Sequence, residues 1–386
     1  AIFSLLILLF GVMQSNSKWM KGVPQYFLYL IVLLLVISMF VNDVEWSQGL
    51  TGIYQRNTGI LFWLSISILF AYSSTGLIDP KVFIWISLPI LLIFTIVYGL
   101  LQYFDIDPYP WSNPFDAVQL TLGNPNFAGA LIGLLVVVPL GLFVTRKEII
   151  WKIFSVTTLA ILILLALGTK SLQSIVVMMI SICVFFLIQY AKSKKLNAKL
   201  FRTLSSLSGL FILLTVLLLI FTNLNFLSNI KERFFFQGSV TQRLDYWRSG
   251  LQIFTDYPLI GVGPDQFQRF AALYRTKEQV LREGAFVIPD KAHSVPIDLL
   301  ATGGIMVGLL WIFFVGYIFR KLLCLSRMEL PSKTRLQLAI VGAIWSGYIF
   351  QALISPDHLI LATLGYICAG FVIVLENPTT KKIFKK

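Results

Sequence analysis

The chain has 386 residues, 57% of them hydrophobic and 13% charged, with a net charge of +13 and a mean hydropathy of +0.81. Soluble domains carry roughly 25% charged residues, so a soluble enzyme is excluded. The positive charge is explained by basic cytoplasmic loops and needs no nucleic acid. Three cysteines without CxxC or Cys/His spacing exclude a disulfide framework and structural zinc.

Apolar runs of the roughly 20 residues that cross about 30 Å of hydrocarbon recur at 24–42, 58–77, 83–104, 124–144, 150–167, 171–190, 204–222, 299–319, 336–355 and 359–375, after a shorter run at 1–13. The expected fold class is an all-α polytopic membrane protein with about eleven visible transmembrane helices. The run at 1–13 reads as truncated, and one preceding helix would bring the total to about twelve and restore a cytoplasmic start. Alternate connections are basic: Lys18 and Lys21, Lys81, Arg146 and Lys147, the lysines of 192–199, Arg320 and Lys321, and the tail Lys381–Lys386. The positive-inside rule makes that face cytoplasmic. The opposite connections carry Asp43 and Glu45, then Asp105, Asp107 and Asp116, then the long polar segment 223–296, then Asp357. Three regions follow: an N-terminal bundle at 1–222 with about eight spans, an extracytoplasmic loop at 223–296, and three spans with a basic tail at 297–386. Neither an internal repeat nor a matched pair of broken helices marks a secondary transporter.

Segment 223–296 holds six of the twelve arginines but three of the nineteen lysines, and closes on His293, one of two histidines. Arginine offers a planar fork to phosphate or carboxylate, and histidine handles protons near neutral pH. Within the segment, TQRLDYWRSGLQIFTD (241–256) predicts a helix with Leu244, Trp247, Leu251 and Phe254 on its apolar face and Thr241 as N-cap. PLIGVGPDQF (258–267) predicts a turn. The stretch from Asp265 to Gly284 predicts a second helix, capped by Asp265, with Phe267, Phe270, Leu273 and Tyr274 on one side. Such amphipathic pairs lie on the bilayer surface or cover a cavity between spans.

His293 stands where the loop re-enters the membrane, as a general base, a pyrophosphate ligand or a structural hydrogen-bonding group. Gly303, Gly304 and Gly308 follow and permit close approach of backbone or ligand. Arg243 shares a helix face with Trp247, whereas Arg248 projects to the flank as a snorkelling residue does. Lys170 occupies the short outer turn LALGTKSLQS; it either snorkels or joins Arg243 and His293 around a doubly charged phosphate ester. Asp105, Asp107 and Asp116 lack the spacing of a cation site and read as solvated. His358, in a tight outer turn, reads as a capping or interfacial residue.

GNPNFAG at 123–129, RLDYW at 243–247 followed by PLIGVGPDQF, and AHSVPIDLLATGGIMVG at 292–308 together resemble the O-antigen ligase and O-antigen polymerase superfamily of bacterial envelope glycosyltransferases. The resemblance covers essentially the whole chain. It implies transfer of a glycan from an undecaprenyl-pyrophosphate carrier to a hydroxyl acceptor at the outer leaflet of the cytoplasmic membrane, with no cofactor or metal. The acceptor classes implied are lipid A core, a further glycan repeat or a protein serine, so ligase, polymerase and protein O-oligosaccharyltransferase are all included. It assigns His293 and Arg243 to catalysis, and Arg243, Lys170 and Arg248 to the pyrophosphate. The family's usual Ser-Arg pair is Thr169-Lys170 here, and Ser294 replaces the asparagine that usually follows the histidine. A lipid-linked glycan flippase is the competing class, but it predicts charged residues within the spans, which are nearly free of them.

Overall fold

A computed structural model describes residues 23–109, 113–191 and 239–376. Among these the regular elements are all helical. In chain order they are α1 (Val23–Val41), α2 (Trp46–Thr51), α3 (Ile60–Ser73), α4 (Pro80–Tyr103), α5 (Pro125–Thr145), α6 (Ile149–Gly168) and α7 (Leu172–Tyr190). After the gap come α8 (Ser239–Asp256), α9 (Phe267–Ala271), α10 (Lys277–Glu283), α11 (Val295–Arg327), α12 (Ser332–Ile354) and α13 (Leu359–Glu376).

Seven helices, α1, α4, α5, α6, α7, α11 and α12, are long and apolar enough to cross a membrane, while α3 and α13 are apolar but shorter. The expected spans at 1–13 and 204–222 lie outside the described residues. In α5 and α12, 83% of the apolar window is buried, against 28% in α4 and α6, so the first pair is central and the second peripheral. Helix α12 packs on α7 and α13, and α11 on α1. An aromatic cluster of Trp311, Phe314, Trp345, Tyr348 and Tyr366 fills the centre, where the Trp311 indole donates to the Tyr366 hydroxyl at 3.2 Å. Asn124 caps α5 by accepting from the Asn126 N–H at 2.9 Å, with Pro125 in the first helical position. That geometry realises the GNPN start.

The polar segment departs from the expected helices in three respects. Helix α8 buries Tyr246, Ser249, Gly250 and Ile253, whereas Leu244 and Leu251 are exposed. Packing against α11 takes the face with the small residues, and the leucines point away, as suits an interfacial helix. Thr241 lies inside α8 and does not precede it. The expected second helix is broken at Arg275, whose backbone is extended and whose guanidinium donates to the Gly284 and Ala285 carbonyls. Thr276 then caps α10 through the Gln279 N–H at 3.1 Å. Leu273 is 77% exposed, and Asp265 is buried in an ion pair instead of capping α9.

The turn 258–263 docks into a break in α11. The N–H groups of Val262, Gly263 and Ile305 donate to the carbonyls of Ala301, Thr302 and Pro258 at 2.8–3.0 Å, and the Ser38 hydroxyl donates to the Ile260 carbonyl at 2.7 Å. Gly304 sits at φ 76°, ψ −174°, a conformation open essentially to glycine alone, and a Cβ there strikes the backbone of Leu259 and Ile260. Gly304→Ala is expected to destabilise the fold by about 1–3 kcal/mol. The thermal midpoint of the solubilised protein should fall by several degrees, whereas Gly316→Ala, which meets open space, should leave it unmoved. Equal midpoints for the two variants would show that the break is dispensable.

Candidate active site at the loop-bearing end of the bundle

His293 lies in the connection between α10 and α11 with φ 54°, a left-handed conformation that histidine tolerates better than most residues. Three contacts hold it. The Trp247 indole of α8 donates to its backbone carbonyl at 3.2 Å. The Tyr246 ring packs on the imidazole at 5.1 Å between centroids. Beneath it, Lys291 is buried and pairs with Asp265 and, at 3.3 Å, with Asp298, whose carboxylate also accepts the Ala292 N–H at 3.2 Å. Burial opposes the charge on Lys291, but the two carboxylates outweigh it and raise its pKa. This buried cluster ties the turn at Asp265 to the first turn of α11 and so fixes the backbone that presents His293.

Arg243 stands one helical turn before Trp247 on the same face of α8. Its guanidinium reaches the Gln173 carbonyl oxygen of α7 at 3.4 Å, and that oxygen also accepts the Ser355 hydroxyl at 2.8 Å. Burial lowers the pKa of Arg243, yet a guanidinium stays charged at neutral pH.

Sequence reasoning missed Arg56. It sits in the tight 52–59 loop between Gln55 and Asn57, both with positive φ, and forms an ion pair with Asp290, three residues before His293. Its guanidinium also lies over the Phe127 ring, 5.7 Å from the centroid. The available signal was a lone arginine in a short loop on the same face as the arginine-rich segment 223–296. His358 belongs to the same group: its ring packs against Phe127 at 4.6 Å between centroids, tilted by 37°, and does more than begin α13. Its Nδ1 and the Gln173 Nε2 are buried without a hydrogen-bond partner.

The charges act on one another. Burial first, then the Arg56 and Arg243 guanidinium groups, push the His293 pKa down to about 4 against the opposing pull of Asp290. Burial alone would raise the Asp290 pKa; Arg56, His293 and Lys291 together bring it below the usual carboxylate value. Burial and Arg56 likewise lower His358 to about 4. Both imidazoles are therefore neutral at pH 7.

Next to Arg243 opens a cleft of about 320 Å³, lined also by Lys170, Ser171, Gln173 and Asn126. Lys170 is the residue after the C-cap of α6, with φ 53°, and forms an exposed ion pair with Asp116 at 2.8 Å. The Lys170 hydrogen bond and charge lower the Asp116 pKa, so Asp116 is paired as well as solvated. Asp107 is held by Tyr98 and Gln102. Arg248 is exposed on α8, away from this group. Of the residues expected from sequence, Arg243 and His293 thus share one site, Lys170 borders it, and Arg248 stays outside.

Residues 157–312 match the O-antigen ligase family model. The match supports the O-antigen ligase and polymerase superfamily. The O-antigen ligase stretch runs from within α6 to the middle of α11 and takes in Lys170, Arg243, Arg248 and His293, but neither Arg56 nor His358. A comparison with curated proteins finds no match.

Proposed function

We propose that this chain is a membrane glycosyltransferase that moves a glycan from undecaprenyl pyrophosphate to a hydroxyl acceptor on the outer face of the cytoplasmic membrane. One observation carries the reading. A half-buried, neutral histidine feels the charge of two arginines, one of which lines a cleft with a lysine at its rim, at one end of an apolar bundle.

The bond from the anomeric carbon to the pyrophosphate oxygen breaks, and a bond from that carbon to the acceptor oxygen forms. Negative charge grows on the leaving pyrophosphate, where Arg243 and Arg56 act as preorganised donors and Lys170 as a point charge at the cleft rim. His293 takes the acceptor proton and passes it to the departing phosphate or to water. Attack from the side opposite the leaving group inverts the anomeric centre. Arg248 then contributes to membrane or headgroup contact more than to the reaction. Among the acceptors, the ligase reading with a lipid A core acceptor is preferred slightly over polymerisation. The flippase reading is disfavoured because the cationic groups gather at one end of the bundle.

The deciding experiment incubates purified protein with an undecaprenyl-pyrophosphate glycan and an acceptor, then follows free carrier and glycosylated acceptor together. Flipping of the donor with neither product would sink the proposal. A pH profile tests the role of His293. Without substrate, desolvation first and then the two guanidinium groups lower its pKa to about 4, so kcat/KM should persist well below pH 6. A bound pyrophosphate offsets that positive charge and raises the pKa, so the acid limb of kcat should lie at higher pH than that of kcat/KM. Coincident limbs would remove His293 as the titrating base.

A further inference from the structure

We propose that Asp290 is a positioning residue for both reacting groups of the site: it aims the Arg56 guanidinium and offsets the positive charge that His293 gains in the reaction. The assignment rests on the glycosyltransfer reading and adds a residue to it.

Two loops meet at Asp290. The 52–59 loop is closed by the Gly59 N–H on the Thr51 carbonyl at 3.4 Å, and its Ile53 N–H donates to the Asp265 carboxylate. The same carboxylate pairs with Lys291. Asp265 therefore holds the loop of Arg56 against the residue that follows Asp290. Asp298 holds the Ala292 N–H, and the Trp247 indole holds the His293 carbonyl. With both backbones pinned, the partly buried pair of Arg56 and Asp290 forms with little conformational freedom left to lose.

The pair occupies one edge of the guanidinium. The Arg56 Nε donates to Asp290 Oδ2, and its two terminal nitrogens make no hydrogen bond among the described residues. Those nitrogens are the fork that meets two phosphate oxygens. The Phe127 ring against the guanidinium steadies it further. Asp290 Oδ1 likewise accepts no hydrogen bond among the described residues, and neither nitrogen of the His293 imidazole has such a partner.

Asp290 and His293 both lie by Tyr246, whose ring packs on the imidazole and whose hydroxyl feels the Asp290 charge while donating to Glu283 at 3.5 Å. Arg56 and Arg243 act on the imidazole as positive charges and Asp290 as the negative one, while Lys291 is taken up by Asp265 and Asp298. When His293 accepts the proton of the acceptor hydroxyl it becomes a cation beside two guanidinium groups. The Asp290 carboxylate offsets that charge without taking the proton, which stays on His293 until it leaves for phosphate or water.

Two substitutions in the full chain separate the two roles. Asp290→Asn keeps an oxygen for the Arg56 Nε and loses the charge, whereas Asp290→Ala loses both. The chain has two histidines, so NMR of histidine-labelled protein follows His293 directly, with His293→Ala as the assignment blank. With inorganic pyrophosphate bound, Asp290→Asn should lower the proton affinity of His293 about tenfold. Asp290→Ala should bind pyrophosphate about fivefold more weakly than Asp290→Asn; both are neutral, so the difference reports the aim of Arg56. That difference should vanish in an Arg56→Gln background. Circular dichroism of each variant checks the fold. An unmoved His293 titration, or equal pyrophosphate binding by the two Asp290 variants, overturns the proposal and leaves the glycosyltransfer reading standing. No pyrophosphate binding by wild type overturns both.

Discussion

His293→Ala is expected to slow release of the undecaprenyl carrier by about 10²–10⁴-fold, the range that a positioned general base contributes. The prediction follows from geometry. A left-handed backbone, the Trp247 indole on its carbonyl and the Tyr246 ring on its side chain give the imidazole one orientation. The buried pair of Lys291 with Asp265 and Asp298 anchors the backbone beneath it. Truncation at Cβ removes the Tyr246 packing but leaves the Trp247 bond to the backbone carbonyl and the ion pairs of Lys291, so insertion should be close to wild type. If such a protein turned over lipid-linked glycan at the wild-type rate, the histidine would be structural. His293→Gln should restore the Tyr246 packing but not the rate.

The second large effect falls on the arginines. Arg243→Ala and Arg56→Ala should each lower kcat by about 10²-fold or more, as loss of one preorganised donor to developing charge does. Lysine at either position should rescue only partly, because an ammonium lacks the planar fork that reaches two phosphate oxygens. Lys170→Ala should lower the rate less than about tenfold, since its charge is exposed and already shared with Asp116. Rates measured beside circular dichroism and solubilised yield separate chemistry from folding. If Lys170→Ala proved as damaging as Arg243→Ala, the pyrophosphate would have to sit deeper in the 320 Å³ cleft than proposed.

Arg56 shows why the site was only partly legible in the sequence. Arg243, Trp247 and His293 fall in one polar segment, where arginine bias and helical spacing make them visible. Arg56 is far from them in the chain, in a loop whose composition reads as an ordinary turn. Its role depends on an ion pair with Asp290 across a sequence separation of 234 residues. The same holds for Gln173, a polar residue at the start of an apolar run whose carbonyl oxygen receives both Arg243 and Ser355. No periodicity encodes such meetings.

The amphipathic helices carry a related lesson. Spacing placed Leu244, Trp247, Leu251 and Phe254 on one apolar face of a helix that lies on the bilayer or covers a cavity; Leu244 and Leu251 are exposed, and the face packed on protein holds Tyr246, Ser249, Gly250 and Ile253. Beside a membrane an apolar stripe has two destinations, protein or lipid, and the pattern does not distinguish them. Residue size does: Gly250 and Ser249 permit the approach to α11 that a leucine would block.

What the sequence determined by itself is whatever depends on summed local preference. Long apolar runs specify helices able to cross a bilayer, and glycine and proline at 258–264 specify a turn. Tertiary structure alone decided the break of α11 at Gly304, the gathering of Arg56, Phe127 and His358 near the Arg243 and His293 site, and the lowering of that histidine's pKa. Each of these arises from groups brought out of water next to one another, and desolvation and charge interactions depend on distance in space, which composition and periodicity do not record.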